Sequence, residues 1–217
     1  MSDVAVEAKN VRKVYGHDNT EVVALAGATF SVSGGEVVAL LGPSGAGKST
    51  LLNILGLVTA PTTGTVVISG ISVVEGPREL VDVRAFRRQH IGFVFQKANL
   101  IPFLTAIENV QLAMEINDLP SSEARRRALE LLNYLSVDDC ANRRPAELSG
   151  GQQQRIAVAR ALANKPGLIL ADEPTAALDS ERGRQVMELF ARIAHEQGAA
   201  VIVVTHDHRA LEVFDRQ

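Results

Sequence analysis

Glu36-Val37-Val38-Ala39-Leu40-Leu41 runs directly into Gly42-Pro43-Ser44-Gly45-Ala46-Gly47-Lys48-Ser49-Thr50. After Glu36 the first stretch is apolar and rich in β-branched residues, as in a strand buried on both faces. A glycine-rich loop, Gly42 to Gly47, follows, and Lys48 to about Leu55 continues as a helix. Strand, loop and helix together match the phosphate-loop pattern G-x-x-x-x-G-K-[ST]. Glycines let the backbone curl so that successive N–H groups point inward at phosphate oxygens. The helix N-terminus adds its partial positive charge. In such a loop Lys48 reaches the β- and γ-phosphates and the Ser49 hydroxyl ligates Mg²⁺. All nine residues from Gly42 to Thr50 are therefore candidate nucleotide contacts. A loop built only for tight packing has no need of the Lys-Ser that follows it. The pattern by itself does not separate kinases, GTPases and motor ATPases.

Outward from this loop, Val4 to Val14 alternates loosely, as a half-buried strand does. Ala28 to Val32 is a second short strand, and Thr65 to Ile68 another after the turn Pro61 to Gly64. The middle third is helical. Thr105-Ala106-Ile107-Glu108 is a capping-box pattern opening an amphipathic run to about Asn117. Ser122 can cap a second helix to Leu135, with Arg125, Arg126 and Arg127 on a solvated face. In the last third a helix starts after Ser149, Leu168 to Ala171 is a buried strand, and Asp179 or Ser180 caps a helix to about Glu196. Ala199 to Thr205 is again a buried strand, and a final helix is expected from about His208. Buried strands separated by helices imply a parallel sheet covered on both faces. By periodicity, an α/β core is interrupted by a helical lobe at roughly 101–147, leaving 1–100 and 148–217 as the core of one domain.

The chain has 217 residues, 46% hydrophobic and 22% charged, with a formal net charge of -3. That is enough apolar material for a sizeable core, and its charge does not favour nucleic acid as a partner. One cysteine, Cys140, rules out an internal disulfide. No signal-peptide pattern opens the chain, and no apolar run is long enough to cross a bilayer. Membrane work would need another chain to do the spanning.

Leu168-Ile169-Leu170-Ala171-Asp172-Glu173 is an apolar strand ending in two acids. Beside a phosphate loop, the first carboxylate can hold the Mg²⁺ shell. The second can orient and deprotonate an attacking water. Leu148-Ser149-Gly150-Gly151-Gln152 opens a helix. A serine hydroxyl, two glycines and a helix N-terminus make a second anion cradle. A plain Ser N-cap with a Gly-Gly turn reads the same locally, and the phosphate loop upstream with the Asp-Glu strand downstream selects the cradle.

Here the chain resembles the ABC ATPases, whose signature sequence is LSGGQ. It looks most like their lipoprotein-release and macrolide-exporter branch, on Gly92 to Gln96, Leu104 to Val110 and Leu148 to Leu162 (LSGGQQQRIAVARAL). The resemblance covers nearly the whole chain. It implies a P-loop NTPase of the ABC type: a mainly parallel core sheet, an N-terminal antiparallel β part and an inserted α-helical lobe. It implies that Glu173 is the catalytic base and His206 the switch histidine at the γ-phosphate. Gln96 resembles the Q-loop glutamine that senses Mg²⁺ and faces the membrane partner, beside the metal residues Ser49 and Asp172. Ala177-Leu178-Asp179 resembles the D-loop, and Tyr15 the aromatic that stacks on adenine. Ser149, Gly150, Gly151 and Gln152 would grip a γ-phosphate, but of ATP held by Lys48 of a second copy, in a head-to-tail dimer. The implied cofactors are ATP and Mg²⁺. The implied partners are a transmembrane permease and a paired ATPase, at the cytoplasmic face of the cell membrane. Neither a long coiled-coil insertion nor a second cassette is present, as DNA-repair and translation members have. A membrane-coupled signalling role in place of transport stays open. Two departures stand out. Ala176-Ala177 precedes Leu178-Asp179 where this branch often has Gly-Asn. The family also usually continues past a position like Gln217 into a short strand and a glycine turn.

Overall fold

A computed structural model describes residues 4–16, 20–176, 178–206 and 212–217. Two sheets form. One is parallel, in the order β3-β9-β8-β7, with β3 Val37–Leu40, β7 Ile91–Val94, β8 Leu168–Asp172 and β9 Ala200–Val204. The other is antiparallel, in the order β2-β1-β4-β5-β6, with β1 Val4–Tyr15, β2 Val22–Ser33, β4 Thr63–Ile68, β5 Ile71–Glu75 and β6 Arg78–Glu79.

The parallel strands are buried on both faces, and their side chains divide by the strand period of two. Val37, Ala39, Ile169, Ala171, Val201 and Val203 join one apolar cluster. It is shared with α3 Ala106–Glu115, α4 Ser121–Tyr134, α5 Gly150–Leu162 and α6 Ser180–Gln197. Val38, Leu168, Leu170, Ala200, Ile202 and Val204 face the opposite cluster, with α1 Lys48–Leu55 and the antiparallel sheet. Register does the positioning. Val204 pairs with Leu40 on one side and with Asp172 on the other. The three strands therefore end level, and the segments that follow them leave the sheet together at its carboxyl edge, where open α/β sheets bind ligands.

Several expectations change in the structure. β2 begins at Val22, earlier than expected, because its half-exposed residues give no clean alternation. β5, β6, β7 and the helix α2, Val83–His90, were not expected. α2 is short and mostly polar and buries only Val83 and Phe86, so it has few apolar residues to mark it, though Asp82 caps it by accepting from the Arg84 and Ala85 N–H groups. β7 contains Gly92 because α5 passes against it: a Cβ there would lie 2.6 Å from the Ala161 carbonyl oxygen. Ser122 does not cap α4. Pro120 occupies that position with no side-chain cap, and the Ser121 hydroxyl bonds the Glu115 carboxylate instead. Of the three consecutive arginines, Arg127 is half-buried and donates to the Ala163 carbonyl at 2.9 Å. The start of the helix expected from about His208 falls on residues outside those described, and Glu212 and Val213 form a 3-10 turn. The Asp215 carboxylate accepts from the Val37 N–H at 2.8 Å, and Arg216 bridges β3 at Val38.

Candidate nucleotide site

The residues leaving the level strand ends meet in a cleft of about 530 Å³. Ser44, Lys48, Ser49 and Thr50 line one side, Asp172, Glu173 and His206 the other, and Gln96 reaches in from the loop after β7. Gly45 and Gly47 also line it, while Gly42, Pro43 and Ala46 do not. Gly42 and Pro43 contribute carbonyls instead: Lys48 Nζ donates to them at 2.6 and 2.9 Å. The ammonium is thus held inside the loop curl. Gly47 caps α1 in the left-handed region, φ 86°, and a Cβ there would meet the Ala24 carbonyl at 2.4 Å. Only glycine meets both demands.

Across the cleft, the Ser49 hydroxyl lies 3.5 Å from Asp172 Oδ1. Glu173 is held in the left-handed region at φ 48°, with its N–H donating to the Val204 carbonyl at 2.9 Å. A non-glycine residue there stores about 1 kcal/mol or more of strain. The turn aims the carboxylate at His206, whose Nε2 lies 3.1 Å from Oε1 and whose backbone N–H donates to Oε2 at 3.3 Å. An imidazole bonded in this way fixes the orientation of a carboxylate that can accept a proton from water.

Ser49, Asp172 and Gln96 offer hard oxygen donors, the kind Mg²⁺ takes. Among the described residues no group of three or more His, Cys, Asp or Glu side chains could hold a metal alone. The set fits an ion that completes its shell with water and phosphate oxygens, as Mg²⁺ does.

The second cradle lies elsewhere. Ser149 caps α5 in a reciprocal box: its hydroxyl accepts from the Gln152 N–H at 3.3 Å, and Gln152 Oε1 accepts from the Ser149 N–H at 2.9 Å. Gln152 Nε2 also donates to Cys140 Sγ at 3.0 Å, and burial raises the pKa of that thiol. Asp179 caps α6 through the Arg182 N–H at 2.9 Å. Leu178 and Arg182 then pack against Gly150 and Gly151. None of Ser149, Gly150, Gly151, Gln152 and Asp179 lines the Lys48 cleft. Ala177 lies outside the described residues. Tyr15 is exposed at the end of β1, with Lys13 Nζ 5.0 Å over its ring. It does not line the cleft, but its cross-strand partner Val22 does.

A family profile described as "ABC transporter" matches residues 25–176. The chain belongs to the ABC transporter family. It is an ATPase of the ABC type and an ATP-binding component. An uncharacterized ABC transporter ATP-binding protein of Thermotoga maritima is 50% identical over 211 residues, covering 97% of this chain and 87% of that protein. The lipoprotein-releasing system ATP-binding protein LolD of Bacteroides fragilis is 44% identical over 192 residues, covering 88% of each. The dimeric post-hydrolysis structure of the cassette MJ0796 of Methanocaldococcus jannaschii, bound to ADP and Pi, has a TM-score of 0.85 at 45% identity. It covers 97% of this chain and 91% of that one.

The motifs missed two groups of residues around the site of this ABC cassette. Val22, Val23 and Ala24 wall the cleft, and as plain apolar residues they carry no signal. Gln154 and Arg160 of α5 bond the backbone of the Gln96 loop. Arg160 is the one charged residue in the otherwise apolar stretch Ile156 to Leu162, and that was a legible signal.

Proposed function

We propose that this chain energises a membrane permease through ATP-driven pairing of two copies and hydrolysis-driven opening. The convergence of Lys48, Ser49, Asp172, Glu173 and His206 in one cleft carries the reading. Lys48 and the loop N–H groups, from Gly42 to Thr50, bind the triphosphate. Tyr15 offers its ring face to adenine. Ser49, Asp172 and Gln96 would hold Mg²⁺, which neutralises charge on the phosphates when bound. Glu173 orients a water in line with the γ-phosphate and takes its proton, while His206 keeps the carboxylate in place. Ser149, Gly150, Gly151 and Gln152 grip the γ-phosphate of the partner copy's ATP, and Asp179 lies at that interface. Loss of the γ-phosphate then releases the pair.

Residues 101–147 act in this reading as a lobe that passes the motion on. Phe103 is 72% exposed, and Phe95 and Ile116 are exposed near it in sequence, an apolar surface suited to a permease. Among the described residues no helix is long and apolar enough to cross a membrane; the place proposed for the chain, beside its permease, is peripheral on the cytoplasmic face. Steady-state ATPase assays test the site. Lys48→Ala is expected to lose activity by a factor of 100 or more, and hydrolysis at the parent rate would remove the reading.

A further inference from the structure

The side chain of Gln96 reaches into the cleft, yet among the described residues it has no hydrogen-bond partner of its own. Its placement is therefore set by the backbone on either side of it. That backbone is held by one helix. Gln154, buried at 4% exposure, donates Nε2 to the Phe95 carbonyl at 3.2 Å, one residue before Gln96. Arg160 donates its two terminal nitrogens to the Ala98 and Asn99 carbonyls, at 2.8 and 2.7 Å, two and three residues after it. We propose that Arg160 and Gln154 are positioning residues for Gln96, clamping its loop to α5 so that its side chain stays in the nucleotide cleft. The proposal rests on the reading of that cleft as the ATP site.

The guanidinium is suited to this task. Its planar fork spans two consecutive carbonyls, which a lysine ammonium does only as a point charge. It is half-buried, burial lowers its pKa, and among the described residues no carboxylate pairs with it. Its charge is thus compensated by the loop carbonyls. Asn99 sits in the left-handed region at φ 46°, which asparagine tolerates. The next part of the chain has a separate anchor. Asn109, 1% exposed, accepts from the Ile101 N–H at 2.7 Å and donates to the Ile101, Leu104 and Thr105 carbonyls. Loss of Arg160 should therefore loosen residues 96–100 and leave α3 in place.

The test combines backbone NMR relaxation with a double-mutant cycle in the full chain. Arg160→Met keeps the unbranched stem of the side chain and removes its donors. In the nucleotide-free protein, backbone order parameters over residues 96–100 should fall from about 0.85 to below about 0.6, with α3 and α5 unchanged. ADP affinity and the KM for ATP should stay within about twofold, while kcat falls roughly 10- to 100-fold, the scale of a misplaced group. Arg160→Lys should recover part of that loss. In a Gln96→Ala background, Arg160→Met should lower kcat no further. An undiminished Arg160→Met effect on top of Gln96→Ala overturns the clamp and leaves the ATP site standing. So do unchanged order parameters over residues 96–100. A Gln96→Ala enzyme with parent kcat removes the role of Gln96 and the clamp with it, while a dead Lys48→Ala still marks the ATP site. If Arg160→Met does not fold, Gln154→Leu enters the same relaxation measurement and the same cycle, with the same outcomes decisive.

Discussion

Glu173→Gln separates binding from chemistry. The amide matches the carboxylate in size and leaves Lys48, Ser49, Gln96 and Asp172 untouched. Its oxygen can still face His206 Nε2, which lies 3.1 Å from Glu173 Oε1. Its NH₂ group then faces the His206 backbone N–H, which donates to Oε2 at 3.3 Å. One hydrogen bond is therefore lost, worth about 1 kcal/mol, or about 2–4 °C in Tm at this chain length. The catalytic loss is larger. A positioned general base contributes about 100- to 10,000-fold, or about 2.7–5.4 kcal/mol of barrier at 1.36 kcal/mol per decade. With ATP bound and not consumed, two copies should remain joined. The variant should elute as a dimer in ATP and Mg²⁺ and as a monomer in ADP. Adding Ser149→Arg should break the dimer, since the bulky side chain enters the second cradle while the Lys48 cleft is unchanged. Size-exclusion chromatography with parallel nucleotide titration reads both effects. A Glu173→Gln protein that stays monomeric at full ATP occupancy would refute the shared-site reasoning.

The parent chain without nucleotide should sediment as a monomer, because each half-site needs the ligand to meet the other. A tight nucleotide-free dimer in analytical ultracentrifugation contradicts this. Gly47→Ala forces φ 86° on a residue with a Cβ 2.4 Å from the Ala24 carbonyl. It should cost roughly 2 kcal/mol or more in urea unfolding and weaken ATP binding more than tenfold; parent values in both would be the failing result. Asn109→Leu strands the loop groups that its amide satisfies. A loss of roughly 3 kcal/mol is expected, lowering Tm by about 6–12 °C, which calorimetry can check. The Glu108 carboxyl is held below its ordinary pKa, first by the Thr105 N–H and then by the Thr105 hydroxyl. A depressed carboxyl stabilises the fold above its unfolded pKa, and that stability is lost as pH falls through the folded value. The small Tm advantage over Glu108→Gln should therefore be present at neutral pH and vanish in acid, and an advantage that grows in acid would reverse the assignment.

The sequence by itself determined the chemistry borne by contiguous residues. Gly42 to Thr50 carries its own turn-forming glycines, its lysine and its helix start. Ser149 to Gln152 carries both halves of a capping box. Leu168 to Glu173 carries a buried strand and the acids at its end. In each, the interacting groups are a few bonds apart, so local backbone rules decide their geometry. Family membership was legible from the same segments. Tertiary structure decided what joins distant segments. The shared register at Val204 brings the ends of β3, β8 and β9 level, and no run of residues states a register between strands in separate segments of the chain. The left-handed turn at Glu173 is held by a bond from β9, although nothing in Asp172-Glu173-Pro174 calls for positive φ. The short elements β5 to β7 and α2 carry few residues to mark them, and the glycine at position 92 is explained only by α5, which leaves no room for a Cβ. The hold of Gln154 and Arg160 on the Gln96 loop spans about sixty residues of chain. Such bonds depend on where two elements are packed, and packing is a property of the whole core, which local propensity does not encode.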